Sequence, residues 1–236
     1  MEIRPRSIDL QLIEERWLSF LSKIKLESAE WEKHIYFLLV ILLFCINAVP
    51  HIPSDDALRH VISYRYNYDL RNIYIGYWPS FDPYLLFDVT AGFIHRHLGI
   101  HAFGVIQSIV LVLYFLSFKK LFEEIKPYSL KFACIAFSLL LSDYLVARPK
   151  ALGNALFLLS IAYPGLSPFL MTLFIPFYHS FWFYTILLIP LSPWNAVPLV
   201  IGILFWYVYA GAEYFSFLWK LVHISSYRIH PVIENT

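Results

Sequence analysis

The sequence predicts an all-α fold: a polytopic bundle of about six transmembrane helices, with an N-terminal amphipathic helix and a long first external loop. Three observations carry this expectation. Hydrophobic residues make up 59% of the 236, against roughly 45–50% in a soluble globular chain, and the mean hydropathy is +0.60. The excess sits in runs at Ile35–Pro50, Phe103–Phe118, Phe132–Ala147, Ala151–Pro164, Phe169–Pro190 and Ala196–Ala212. A spanning helix needs about 20 mostly apolar residues, so several runs are short and the fourth is the weakest. Aromatic side chains collect at run ends, at Trp31, Trp194 and Trp219, as they do at membrane–water interfaces.

Three segments follow. Residues 1–33 form a cytoplasmic amphipathic segment. Within it Leu10, Ile13, Trp17, Phe20, Leu21 and Ile24 fall at helical spacing among charged residues, so the helix lies on the inner leaflet or docks on the protein's own cytoplasmic face. Residues 34–222 form the transmembrane domain, with the external loop at 51–100, and 223–236 form a cytoplasmic tail. With both termini in the cytoplasm, twelve Lys and Arg lie inside and six outside, which agrees with the positive-inside rule for a protein of the inner, cytoplasmic membrane. The first 33 residues are charged, and the first apolar run follows them without a small-residue cleavage pattern, so no cleavable signal peptide is expected. A net charge of +1 gives no field for nucleic acid. Cys45 and Cys134 lie inside apolar runs and read as small buried hydrophobes.

The loop 51–100 holds five of the seventeen acids: Asp55, Asp56, Asp69, Asp82 and Asp88. Turn signals stand at Pro53-Ser-Asp-Asp and at Trp78-Pro-Ser-Phe-Asp-Pro. Leu85–Leu98 then reads as an amphipathic helix near the outer interface, with Leu86, Val89, Phe93 and His97 along one face. Farther on, Pro164-Gly-Leu-Ser-Pro and Pro190–Trp194 read as turns, and Pro176 should bend the fifth helix.

Four groups could carry chemistry. Asp55 and Asp56 follow the first span, with Arg59 and His60 behind them. Adjacent carboxylates raise one another's pKa and suit a general base, and the acidic loop could also hold a divalent cation; alternatively Asp55 caps a short helix. Arg148-Pro149-Lys150 stands at the outer end of the third span, five residues after Asp143. Arg148 and Lys150 could hold a phosphate with Asp143 orienting Arg148, or Asp143 and Arg148 could simply neutralise each other. His179, in the fifth run beside Pro176, should face the interior or a cavity; a satisfied structural histidine is the other reading. His95, His97 and His101 look like metal ligands, but helical residues two apart point about 200° from each other, so no metal site is assigned. Trp78 and neighbouring tyrosines could stack on sugar rings, although such residues also mark interfaces.

Taken in order, these features resemble the GT-C superfamily of membrane glycosyltransferases. The likeness rests on a cytoplasmic N-terminus, one span, and a long external loop opening with Asp55-Asp56. An aromatic Asp-Pro stretch follows, Trp78-Pro-Ser-Phe-Asp82-Pro83-Tyr84, then Phe87-Asp88, and later the external corner Arg148-Pro149. The resemblance covers roughly residues 30–190. It implies an enzyme that moves a sugar from a polyprenyl-phosphate carrier to an acceptor outside the membrane. Asp55 or Asp56 would be its base, and Arg148 with Lys150 would hold the carrier phosphate. Asp143, His179, Arg59, Asp82 and Trp78 would line the substrate site. The likeness departs in length: members of that family commonly have more spans and many carry an external C-terminal domain, and neither is expected from this sequence. Two other functions compete. One is an accessory or scaffold subunit of a larger envelope-glycan complex in the membrane. The other is a small transporter or flippase with Asp143 and His179 as a relay.

Overall fold

The computed structural model describes residues 28–48, 57–58, 60–61, 81–126, 128–143 and 147–227; at 28–31, 129 and 221–227 only the backbone is described. These residues contain helices and turns and no strand. In chain order the helices are α1 (Ser28–Ala48), α2 (Leu85–Leu98), α3 (His101–Leu121), α4 (Tyr128–Leu141), α5 (Pro149–Ala162), α6 (Ser167–Phe174), α7 (Phe181–Leu188), α8 (Ala196–Ala210) and α9 (Glu213–Tyr227). Single 3-10 turns precede α6 and α8 at Pro164–Leu166 and Pro193–Asn195, and a third, Ile175–Phe177, closes α6. The amphipathic segment expected at 8–26 lies outside the described residues, as do Asp55, Asp56, Arg59 and Trp78.

Each apolar run yields helix, but the lengths differ from the sequence reading. Among the described residues two helices are long and apolar enough to cross a membrane, His101–Leu121 and Pro193–Ala210. Helices α4 and α5 have 14 residues each, about 21 Å at 1.5 Å per residue, short of a hydrocarbon core of about 30 Å. The single bent helix expected over Phe169–Pro190 is corrected. Helix α6 ends at Phe174, Tyr178 is extended at φ −155° and ψ 120°, and α7 begins afresh at Phe181. Pro176 has no amide hydrogen to continue the ladder, and distant groups hold the break open. The His179 amide donates to the Pro83 carbonyl at 3.0 Å, and the His179 carbonyl accepts from the Tyr214 hydroxyl at 2.8 Å.

Helix α3 is the axis of the bundle. Its Val110, Leu111, Tyr114 and Phe115 are buried against α1, α4 and α5. Gly104 lets α1 approach closely: a Cβ there would lie 3.0 Å from the Ile46 carbonyl oxygen and the Asn47 side chain. Asn47 clasps the pair by donating to Ser108 Oγ at 2.7 Å, the kind of small-residue and polar contact that joins helices in lipid. A second core joins α6, α7, α8 and α9 around Phe174, Phe181, Leu188, Trp206 and Tyr214. There Gly202 faces the Phe181 ring so closely that a Cβ would meet it at 2.1 Å. A third, smaller core packs Ala57 and Val61 with Phe87, Ala91, Phe103, Ile106 and Ala147. Leu152 of α5 borders all three.

Helix α2 buries an unexpected face. Phe87, Asp88, Ala91 and Gly92 turn inward, whereas Leu86 and Phe93 of the apolar stripe stay exposed. Small residues at 91 and 92 allow close packing, and Asp88 finds a partner inside.

Candidate functional site

Two polar centres emerge from this packing. The first surrounds Asp143, just past the end of α4. The Tyr114 hydroxyl of α3 donates to Asp143 Oδ1. The Asn154 amide of α5 donates to Asp143 Oδ2 at 3.0 Å. Asn154 Oδ1 in turn accepts from the Tyr184 hydroxyl of α7 at 2.8 Å. Four elements are thus tied through one carboxylate and one amide. The group borders an open cavity of about 520 Å³, whose walls include Ser138, Phe118 and Phe157.

The sequence reading pairs Asp143 with Arg148; in the structure the Asp143 carboxylate is held by Tyr114 and Asn154. Arg148 is the N-cap of α5, extended at φ −146° and ψ 159°, with Pro149 opening the helix, where a missing amide hydrogen costs nothing. The Arg148 carbonyl accepts from the Ala151 amide at 3.1 Å, and its Nε is buried. Lys150, in the first turn, is exposed.

The second centre lies where the end of the long loop meets the helix break. His60 Nδ1 donates to Asp88 Oδ1 at 2.6 Å, and both side chains are buried. The rings of Tyr84 and Phe87 meet His60 edge-on at 4.8 and 5.0 Å. Asp82 Oδ1 accepts the Tyr84 amide at 2.8 Å, which fixes the turn into α2. Burial raises the Asp82 carboxyl above its ordinary value, and the Tyr84 amide and His60 partly oppose this. Tyr84 stacks on Tyr178 at 5.8 Å and meets His179 at 5.4 Å.

Among the described residues, Asp82 and His179 lie in one centre and Asp143 in the other. His179 and Asp82 come together in the second centre, yet His179 is 4% exposed and its ring is enclosed by Tyr84, Tyr178 and Phe217. Asp143 belongs to the first centre, which meets the second through ring contacts from Tyr184 to Tyr178 at 6.4 Å and from Tyr178 to Tyr84. Ala57, which directly follows Asp55-Asp56, shares the third core with Ala147, which directly precedes Arg148. His95 and His97 meet different rings, Phe103 and Phe93.

Sequence reading missed the His60–Asp88 pair and the Tyr114–Asp143–Asn154–Tyr184 group. The pair is 28 residues apart, and Tyr114 and Asp143 are 29 apart. The one local signal was polarity inside apolar runs, at Asn154 and Asp143. No protein-family model matches the chain, and comparison with curated proteins and with solved structures likewise gives no match.

Proposed function

We propose that this chain is an integral membrane glycosyltransferase of about six spans, acting on a polyprenyl-phosphate sugar at the external face of the cytoplasmic membrane. The membrane reading rests on where the apolar surface lies. Only 22% of the apolar stretch in Pro193–Ala210 is buried within the chain, and Val200, Leu204, Tyr207 and Val208 stand exposed along it. In water so large a patch would drive association; in a bilayer it is the lipid-facing surface. The short helices α4 and α5 fit as a hairpin whose corner carries Arg148 and Lys150.

The single observation that carries the enzyme reading is the shared core of Ala57 and Ala147. It puts Ala57, the residue after the acids in sequence, in one core with Ala147, the residue before the Arg-Pro corner, although about 90 positions separate the two. In this reading Asp55 or Asp56 takes the proton of an acceptor hydroxyl as its oxygen bonds to the anomeric carbon. The bond from that carbon to the carrier phosphate breaks, and Arg148 with Lys150 offsets the charge on the departing phosphate. Asp82, Arg59 and Trp78 are assigned to the sugar, and a divalent cation could join the acids of the loop.

The test is transfer from a polyprenyl-phosphate sugar by the full chain in proteoliposomes. Asp55→Asn or Asp56→Asn should abolish transfer while insertion and expression persist, and Arg148→Ala should raise the carrier concentration needed for half-maximal rate. Full activity in both single acid variants and in the double would remove the base from the mechanism. The transport reading gains nothing from the broken helix: its amide and carbonyl at His179 are already taken by Pro83 and Tyr214.

A further inference from the structure

The Asp143 cavity has a polarity that phosphate binding does not use. Three of the donors around it are spent within the protein. Tyr114 spends its hydroxyl hydrogen on Asp143 Oδ1, Asn154 directs an amide hydrogen at Asp143 Oδ2, and Ser142 donates to the Leu139 carbonyl at 2.7 Å. Each oxygen of the carboxylate keeps a further lone pair, since a carboxylate offers about four acceptor positions. No Lys, Arg or His is among the described residues lining the cavity. Aromatic faces complete it: Phe157 stands on one wall, and Tyr114 with Phe118, stacked at 5.8 Å, on another. A phosphate placed here would meet a carboxylate and no cation. A protonated amine would meet acceptors for its N–H groups and ring faces for its charge.

We infer that the Asp143 cavity is a binding site for a primary ammonium group, carried either by a soluble amine or acceptor or by a lipid headgroup. The carboxylate takes the charge through hydrogen bonds, Tyr114 and Asn154 hold it in place, and Phe118 and Phe157 select against anions. The volume of about 520 Å³ accommodates a hexose-sized or ethanolamine-sized group. The site can be read by binding alone, without an assay of sugar transfer.

The experiment titrates the full chain in detergent with glucosamine and, separately, with glucose, followed by calorimetry. Glucosamine should bind saturably and glucose at least about tenfold more weakly, as expected for losing a charge-assisted hydrogen bond. Asp143→Asn should weaken glucosamine binding by about tenfold or more on the same ground. Tyr114→Phe, which removes a donor and keeps the carboxylate, should leave it within about threefold, less than one charged hydrogen bond. Ser138→Lys keeps Asp143 and places a tethered ammonium in the cavity. It should abolish glucosamine binding even where the Asp143 variant fails to fold. The titration is repeated in nanodiscs of phosphatidylcholine with and without phosphatidylethanolamine. Competition by phosphatidylethanolamine assigns the site to a lipid headgroup, and its absence assigns it to a soluble amine or acceptor. Equal binding of glucose and glucosamine, no glucosamine binding in either medium, or unchanged binding in Ser138→Lys would each overturn the assignment.

Discussion

Gly153→Ala should damage the Asp143 centre from behind, without touching any group that forms its hydrogen bonds to the carboxylate. A Cβ at 153 would lie 2.7 Å from Phe174 Cζ and 3.1 Å from Tyr184 Cε2, whereas carbon contacts are comfortable at about 3.5–4.0 Å. Phe174 is fully buried and Tyr184 nearly so, so neither ring can swing out to solvent or lipid. Overpacking of this kind costs about 1–3 kcal/mol. Here it also pushes on the ring whose hydroxyl holds Asn154. Gly165→Ala is the control, because a Cβ there meets nothing within 4 Å. Phe174→Leu removes the ring end that the added methyl at position 153 would strike. Alone it leaves a cavity and is destabilising, yet combined with Gly153→Ala it should recover about 1 kcal/mol or more relative to additivity, a favourable coupling between touching residues. Thermal unfolding in detergent, followed by tryptophan fluorescence, measures all four variants. Additive losses in the double variant, or a Gly153→Ala protein as stable as Gly165→Ala, would refute the steric argument.

Other outcomes follow from the same packing. Gly202→Ala puts a methyl 2.1 Å from the buried Phe181 ring and should cost about 1–3 kcal/mol by the same assay. His60→Phe keeps a ring of similar size but removes the donor to Asp88; a loss of about 1–3 kcal/mol is expected, and denaturation against a His60→Gln variant checks it. Asp82 has a folded-state pKa raised above the ordinary carboxylate value of 3.8. Its contribution to stability is therefore present in full below that value and is lost as pH rises through the raised one. Asp82→Asn keeps an oxygen for the Tyr84 amide and should flatten that limb of the stability–pH curve, while Asp82→Ala should lower stability at every pH.

Helices were legible because each apolar run is bounded by Pro, Gly or charge. The Pro164 and Pro193 turns and the Gly99 and Gly211 ends, at φ 57° and 62°, announce themselves in the chain. The depth of the break at Pro176 was not legible. A proline signals a bend; converting the bend into two helices requires an acceptor at Pro83 and a donor at Tyr214, 96 positions before and 35 after His179. The partners of Asp143 were hidden for a related reason. Arg148 is its nearest cation in sequence, but α5 starts with Arg148 as its extended cap and carries Asn154 round to the carboxylate.

The reversed face of α2 has a wider consequence. In water the apolar stripe of an amphipathic helix turns inward, because burial of apolar surface is the driving force. In lipid that force vanishes between helices, and small residues with hydrogen-bonded polar groups decide which faces meet. The buried face of α2 fits the second rule. Ala91 and Gly92 make the contact, Asp88 reaches His60, and Leu86 and Phe93 face outward. On the proposed membrane reading the outer stripe of α2 would lie against lipid, while its inner side lends Phe87 and Ala91 to the core that holds Ala57 and Ala147. Substituting Phe93 with Lys tests this directly. On a surface facing water the change is nearly neutral, whereas on a lipid-facing surface it should impair membrane insertion by about 2.5–3.5 kcal/mol at the bilayer centre and less toward the interface. An insertion-neutral Phe93→Lys protein would place α2 in water and return its buried Asp88 to the ordinary logic of a soluble fold.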